Sequence, residues 1–326
     1  MEDRLTGTLQ DDIVRVAVLT SAPYWYLATN VLMIMTRDGA IVEPGPKNLL
    51  ELRWAGDAQP LWFLDLVQPQ IGGGKFDPGH LLKIEAHPEA TALRISGLDQ
   101  AVFERLVSSY GRQFTAIEFW KCPRIEDLTP LEDLSGLRMV SFYWNQRSTR
   151  LWNLSRTPHL TALRVEDFTR FHLLDDLSAG HALKELILGD AVWNKTTFET
   201  LEPMASLTGL LSLSLLPKRI DDSRIQPLGK LTNLENLRIP FNLFTTEQIA
   251  WLRARLPETV ESEALKALLP LRTPFDIDGR PRDVLLIGKR KPWLNSEQDA
   301  ARIHKHVSSF EQLLASFRSD PSLEPK

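Results

Sequence analysis

Apolar residues in the middle of the chain recur in a fixed phrase. Written from its first apolar position, it reads FTAIEFWKC at Phe114, LRMVSFYWN at Leu137, LTALRVEDF at Leu160, LKELILGDA at Leu183, LLSLSLLPK at Leu210 and LENLRIPFN at Leu234, with a weaker copy, ATALRISGL, at Ala90. Successive starts lie 24, 23, 23, 23, 27 and 24 residues apart, which makes seven units. At relative positions 4 and 6, such as Leu163 and Val165, apolar side chains alternate with others, the period-two signature of a short strand with one face turned inward. One such strand cannot bury its face alone. Neighbouring units must stack, pair their strands in parallel and pool their leucines in a continuous core.

The segments between strands recur as well: IEDLTPLEDLSG at Ile125, LLDDLSAGHA at Leu173, LEPMASLTG at Leu201 and IQPLGKLTN at Ile225. Pro130, Pro203 and Pro227 fall inside them, so turns and 3₁₀ pieces are expected in place of full helices. Helical spacing is confined to the first and last units, where Ala101 to Tyr110 sets Phe103, Leu106, Val107 and Tyr110 on one face and Glu247 to Leu256 repeats the pattern. The phrase L-x-x-L-x-L-x-x-N/C followed by a return segment resembles the leucine-rich repeat. LTPLEDLSGL and LGKLTNLENL are similar to the bacterial, internalin-like class, with repeats of about 22 to 24 residues. The resemblance covers Ala90 to about Pro257 and implies an α/β solenoid, a curved parallel β-sheet with short convex return segments.

The flanks do not carry the phrase. Residues 1–89 read as a β-rich N-terminal cap: Asn30 to Thr36 and Ala40 to Val42 form a hairpin around Arg37-Asp38-Gly39, with further strands at Leu49 to Trp54 and Leu61 to Val67. The repeats span 90–257. Residues 258–326 read as an α/β cap: a proline-containing linker, a strand at Asp283 to Gly288, and an amphipathic helix through Ala300, Ile303, Val307, Phe310, Leu314 and Phe317. Ser296 and Asp299 resemble a capping box at its start, and Ser319 to Lys326 is expected to fray.

Composition narrows the function classes. The chain has 326 residues, 43% hydrophobic and 25% charged, with a net charge of -4, which disfavours a general polyanion binder and makes nucleic acid an unexpected partner. Of 54 leucines, 25 lie between Leu137 and Leu256, so the excess is the repeat itself. Cys122 is the lone cysteine, which rules out an intrachain disulfide framework and suits a reducing, cytoplasmic setting. The longest apolar stretch, Val31 to Met35, is far below the roughly 20 residues of a membrane helix, so no membrane insertion is expected.

Cys122 is the obvious nucleophile, because some bacterial leucine-rich repeat proteins carry a cysteine-dependent ubiquitin ligase domain. Its register argues for structure: it occupies position 9, with Asn145 and Asn242, where the repeat uses Asn or Cys to satisfy turn backbone. Phe168, Ala191 and Lys218 depart from that pattern. Gly72-Gly73-Gly74-Lys75 lacks the leading glycine and trailing hydroxyl of a phosphate loop and reads as a turn. His304 and His306, two apart on a helix, face different ways and read as helix surface. No catalytic residue, cofactor or metal is expected.

Binding is expected on the concave face. Positions 7 and 8 bring Trp120, Tyr143 and Trp144 together on adjacent strands, with Arg164, Glu166 and Asp167 beside them. Exposed aromatics flanked by charge form a binding hot spot; covered by a cap, the same rings are core. Trp152 and Trp193 belong to the loop side. The expected function is a non-catalytic scaffold that binds another protein. The alternatives are an effector or enzyme acting through residues 1–89 or 258–318, and an immunity or regulatory protein that neutralises a cognate protein.

Overall fold

The computed structural model describes residues 13–18, 32–36, 41–45, 61–67, 74–190, 195–277 and 279–325. Eleven strands form one sheet. In spatial order they are β1 (Ile13–Val18), β2 (Leu32–Thr36), β3 (Ile41–Gly45), β4 (Leu61–Leu66), β5 (Ala92–Ser96), β6 (Ala116–Trp120), β7 (Met139–Asn145), β8 (Ala162–Phe168), β9 (Glu185–Gly189), β11 (Ser212–Leu216) and β13 (Asn236–Arg238). The two-residue strands β10 (Thr197–Phe198) and β12 (Arg219–Ile220) pair beside it. Strands β1 to β4 are antiparallel neighbours, and from β4 onward every pairing is parallel. The chain folds as a leucine-rich repeat solenoid.

The register follows the phrase read in the sequence. Arg94, Glu118, Ser141, Arg164, Ile187, Ser214 and Arg238, all at position 5, are paired strand to strand. Positions 4 and 6 fill the interior: Ile117, Phe119, Val140, Phe142, Leu163, Val165, Leu186, Leu188, Leu213 and Leu215 are all buried. A slip of one residue would turn each of these outward, which fixes the register. The ladder also reaches one strand further than the phrase, because β4 pairs in parallel with β5, Leu64 beside Leu93 and Asp65 beside Arg94.

The return segments are 3₁₀ turns at Thr129–Asp133, Leu154–Arg156, Asp175–Ala179, Glu202–Ser206 and Gln226–Lys230, as their prolines and short length require. After the short α1 (Leu82–Glu85), true helices occur at α2 (Gln100–Tyr110), capped by Asp99, and α3 (Thr246–Arg255), which begins with a capping box between Thr245 and Gln248. Inside the solenoid an aromatic spine runs along the axis: Phe103, Phe119, Phe142, Phe168, Phe171 and Phe198, with successive centroids 5.4, 4.6, 5.6, 6.1 and 6.1 Å apart. Phe168 is thus a spine residue, which explains its departure from the Asn pattern at position 9. Trp152 is buried on the loop side, its Nε1 donating to Thr157 Oγ1 at 3.1 Å.

The C-terminal region departs from expectation in three places. The proline-containing segment read as a linker is largely a strand, β14 (Leu268–Ile277), paired with β15 (Arg280–Leu286), which in turn pairs with β16 (Trp293–Leu294). Its prolines are tolerated because β14 is an edge strand with an irregularity between Pro270 and Phe275. No capping box forms at α4 (Ala300–Ser319): Ser296 bonds Asp283, and Asp299 accepts from Asn295 N at 3.1 Å while pairing with Arg302. The tail is tied down at Leu323. Leu323 O accepts from Trp251 Nε1 at 3.1 Å and from Arg255 at 3.0 Å, tying the chain end to α3.

His306 is also not helix surface. It is buried, with Nε2 2.9 Å from Ala267 O, linking α4 to the start of β14, while His304 is exposed. Burial holds the His306 pKa below its ordinary value of 6.5. The unfolded chain therefore binds the proton more readily, so stability is full above about 6.5 and falls as the pH drops below it. In chemical unfolding at successive pH values, His306→Gln should flatten that acid limb; an unchanged limb would assign it elsewhere. Truncating the spine tests the core: Phe142→Ala should cost about 3–5 kcal/mol in urea unfolding, and a loss under about 1 kcal/mol would show the ring is not structural.

Candidate functional site

The outward positions of β5 to β8 build a continuous stack. The Arg94 guanidinium lies over the Trp120 ring at 4.8 Å, Trp120 and Tyr143 stack at 4.4 Å with planes 18° apart, and Arg164 lies over Tyr143 at 6.0 Å. Cation–aromatic and stacked contacts each add of order 1 kcal/mol beyond burial, so the row is braced from both ends. Carboxylates hold its arginines: Glu118 at 3.3 Å and Asp65 at 3.8 Å from Arg94, and Glu166 in direct hydrogen bond with Arg164. Burial pushes the Asp65 carboxyl up from its ordinary range, with Arg94 acting against it. Burial, then the nearby Asp167 and Glu166, push the Tyr143 phenol up as well.

Position 8 sets the rim. Gly97, Lys121, Trp144 and Asp167 take left-handed φ values of 75, 51, 64 and 58° at the same step in four successive units. For a residue as bulky as Trp that backbone is strained, and neighbouring units hold it in place. Lys121 N donates to Tyr143 O at 2.7 Å, and Gly97 N to Lys121 O at 3.1 Å. The Lys121 ammonium sits between two rings, 5.8 Å from Trp120 and 5.4 Å from Trp144.

The structure thus brings all six sequence-predicted residues to one face, with a division among them. Trp120, Tyr143 and Trp144 are half-buried and reach solvent, whereas Glu166 and Asp167 are buried rather than exposed, at 6% and 9%. The carboxylates brace the platform and the rings offer its surface. Arg94, Lys121, Glu118 and Asp65 complete the site. The first three could be selected from the register of the phrase; Asp65 lies on β4, where L61-x-x-L64-x-L66 repeats the phrase 29 residues before Ala90.

Position 9 is structural. Cys122 is buried, 3.9 Å from Ile95 O and 3.8 Å from Trp120 O, and burial pushes its thiol up to about 12. Asn145 donates to Cys122 O at 3.2 Å and Ile125 O at 2.8 Å, and accepts from the Arg147 and Ser148 amides, each at 2.9 Å. Asn242 shares the register but is exposed. Trp193 and most of the glycine run lie outside the described residues. Among the described residues no three His, Cys, Asp or Glu side chains gather as a metal set, and no helix is long and apolar enough to cross a membrane.

No described protein family matches the sequence. No curated protein matches it either. Among solved structures the chain is similar to an internalin from Listeria monocytogenes, with 20% identity and a TM-score of 0.42 over 60% of this chain and 52% of that one. A second internalin from the same organism gives 17% and 0.35, over 60% and 68%. A leucine-rich repeat protein of Leptospira interrogans gives 14% and 0.33, over 52% and 48%. The chain spans about half the length of the first of these. The solenoid assignment rests on the chain's own strand ladder.

The position of Cys122 gives a direct test. Ellman's reagent should leave the folded protein unlabelled at mildly alkaline pH and label one thiol per chain in denaturant. Rapid labelling of the native protein would mean the thiol is accessible and ionised.

Proposed function

We propose that the protein is a non-catalytic recognition scaffold that binds a partner protein on the concave face, centred on Trp120, Tyr143 and Trp144 with Arg164, Glu166 and Asp167 in support. One observation carries the reading: three aromatic side chains on adjacent strands are held half-exposed by cation–aromatic contacts from both sides. Rigid aromatics surrounded by fixed charge supply contact area at low ordering cost, which is how interface hot spots concentrate affinity. The carboxylates of Glu166 and Asp167 and the guanidinium of Arg164 give the face a charge pattern that selects among partners. The buried thiol of Cys122 is kept protonated, so the one cysteine supplies no nucleophile to this reading. It suits a reducing interior, and a bacterial cytoplasm is the proposed setting.

Affinity capture from lysate of the source cells, followed by titration of the partner so identified, tests the proposal. Trp144→Ala and Tyr143→Ala should each weaken the complex by at least about tenfold. Binding that survives both substitutions unchanged removes the concave face from consideration.

A further inference from the structure

A second surface, on the C-terminal sheet, combines exposed rings with exposed positive charge. Phe275 and Trp293 are 38% and 36% exposed, and their rings meet edge to face at 5.1 Å. Arg280 lies at the start of β15 and Lys289-Arg290-Lys291 just past its end, all four exposed, so cations flank the aromatic pair along the strand. Between Leu268 and Trp293 there are six basic residues against three acidic ones, in a chain whose net charge is -4.

Three described carboxylates nearby are committed internally. Asp276 accepts from Gly279 N at 2.7 Å, Asp283 from the backbone and hydroxyl of Ser296, and Asp299 pairs with Arg282 at 3.4 Å and Arg302 at 3.0 Å. Among the described residues none of Arg280, Lys289, Arg290 and Lys291 pairs with a carboxylate. The basic turn is also anchored: Gly288 N donates to Phe241 O at 2.9 Å and Lys289 N to Phe244 O at 2.7 Å, while Arg290 holds a left-handed φ of 61°. The last repeat therefore presents these cations in a fixed place.

We infer that this sheet is a peripheral docking surface for an anionic phospholipid bilayer. The cations meet lipid phosphates, and Phe275 and Trp293 enter the headgroup region, where amphipathic rings are favoured. Charge complementarity and the paired rings both point to that occupant: clustered cations attract any polyanion, but two exposed rings gain further from an apolar interface beneath the charge. The inference is independent of the concave face and involves no spanning segment.

Cosedimentation of the full chain with unilamellar vesicles tests it, using phosphatidylcholine alone and phosphatidylcholine with about one third phosphatidylglycerol. Binding is expected to the anionic vesicles only, and to fall as salt is raised. Lys289→Glu with Lys291→Glu should reduce the bound fraction at least about tenfold, as should Phe275→Ser with Trp293→Ser at unchanged charge. Arg280→Glu is a second charge variant, and circular dichroism confirms that each variant folds. Trp144→Ala should bind vesicles like the unsubstituted chain, which separates this surface from the concave one. Absence of binding to anionic vesicles overturns the inference, as does binding indifferent to loss of both rings. Displacement of the vesicles by a single-stranded oligonucleotide bound through the same residues would overturn it in favour of nucleic acid.

Discussion

A strand that has no buried partner of its own is the constraint on which this molecule depends. Each unit contributes two inward side chains, at positions 4 and 6, and these are buried only because the units before and after supply the walls. Parallel pairing at a constant register is the one arrangement that lets every unit do this identically. Once the register is set, residues at a given position fall into line: Phe119 over Phe142 inside, the charge and aromatic row outside, the left-handed φ values of position 8 in four successive units.

The aromatic row on the outward face is a by-product of that register. Trp120 and Tyr143 stack because position 7 of one strand is paired with position 7 of the next. Arg94 and Arg164 meet the rings because position 5 lies two residues before position 7 on the same face of the strand. Trp144 takes a left-handed backbone near the end of β7, and hydrogen bonding between successive units, Lys121 N to Tyr143 O, sustains it. A row built this way is ordered by the fold itself, and under the proposed function association would not bear the entropy of arranging it.

How much of this the sequence disclosed follows from range. Interactions repeated at a fixed spacing were legible: the inward positions, the 3₁₀ returns, the helices of the first and last units and the convergence of the three aromatics. Interactions that depend on one distant segment were not. Strand β4 carries the phrase but stands 29 residues from the next copy, so Asp65 was not seen as the partner of Arg94. Proline content hid β14, whose edge position makes proline tolerable. His306, Ser296 and Leu323 each found partners 13 to 72 residues away, which no local spacing encodes. Asn145 and Asn242 show the same limit within the repeat, since only Asn145 has a following unit placed to bury it.

The two outward surfaces differ in how their charges are spent. On the face of the aromatic row Arg94 and Arg164 are held by carboxylates of the same or adjacent strands, so charge there stabilises geometry. On the C-terminal sheet the described carboxylates Asp276 and Asp283 are tied down, by Gly279 and Ser296, while Arg280, Lys289, Arg290 and Lys291 face solvent. Fixed and compensated charge gives selectivity at short range, because its field is largely cancelled a few ångströms away. Uncompensated charge reaches about one Debye length, roughly 8 Å at physiological salt, and attracts by sign rather than by shape. The two surfaces of one solenoid thus differ in how their charge is compensated, and the difference arises from hydrogen-bond and ion-pair partners rather than from net charge.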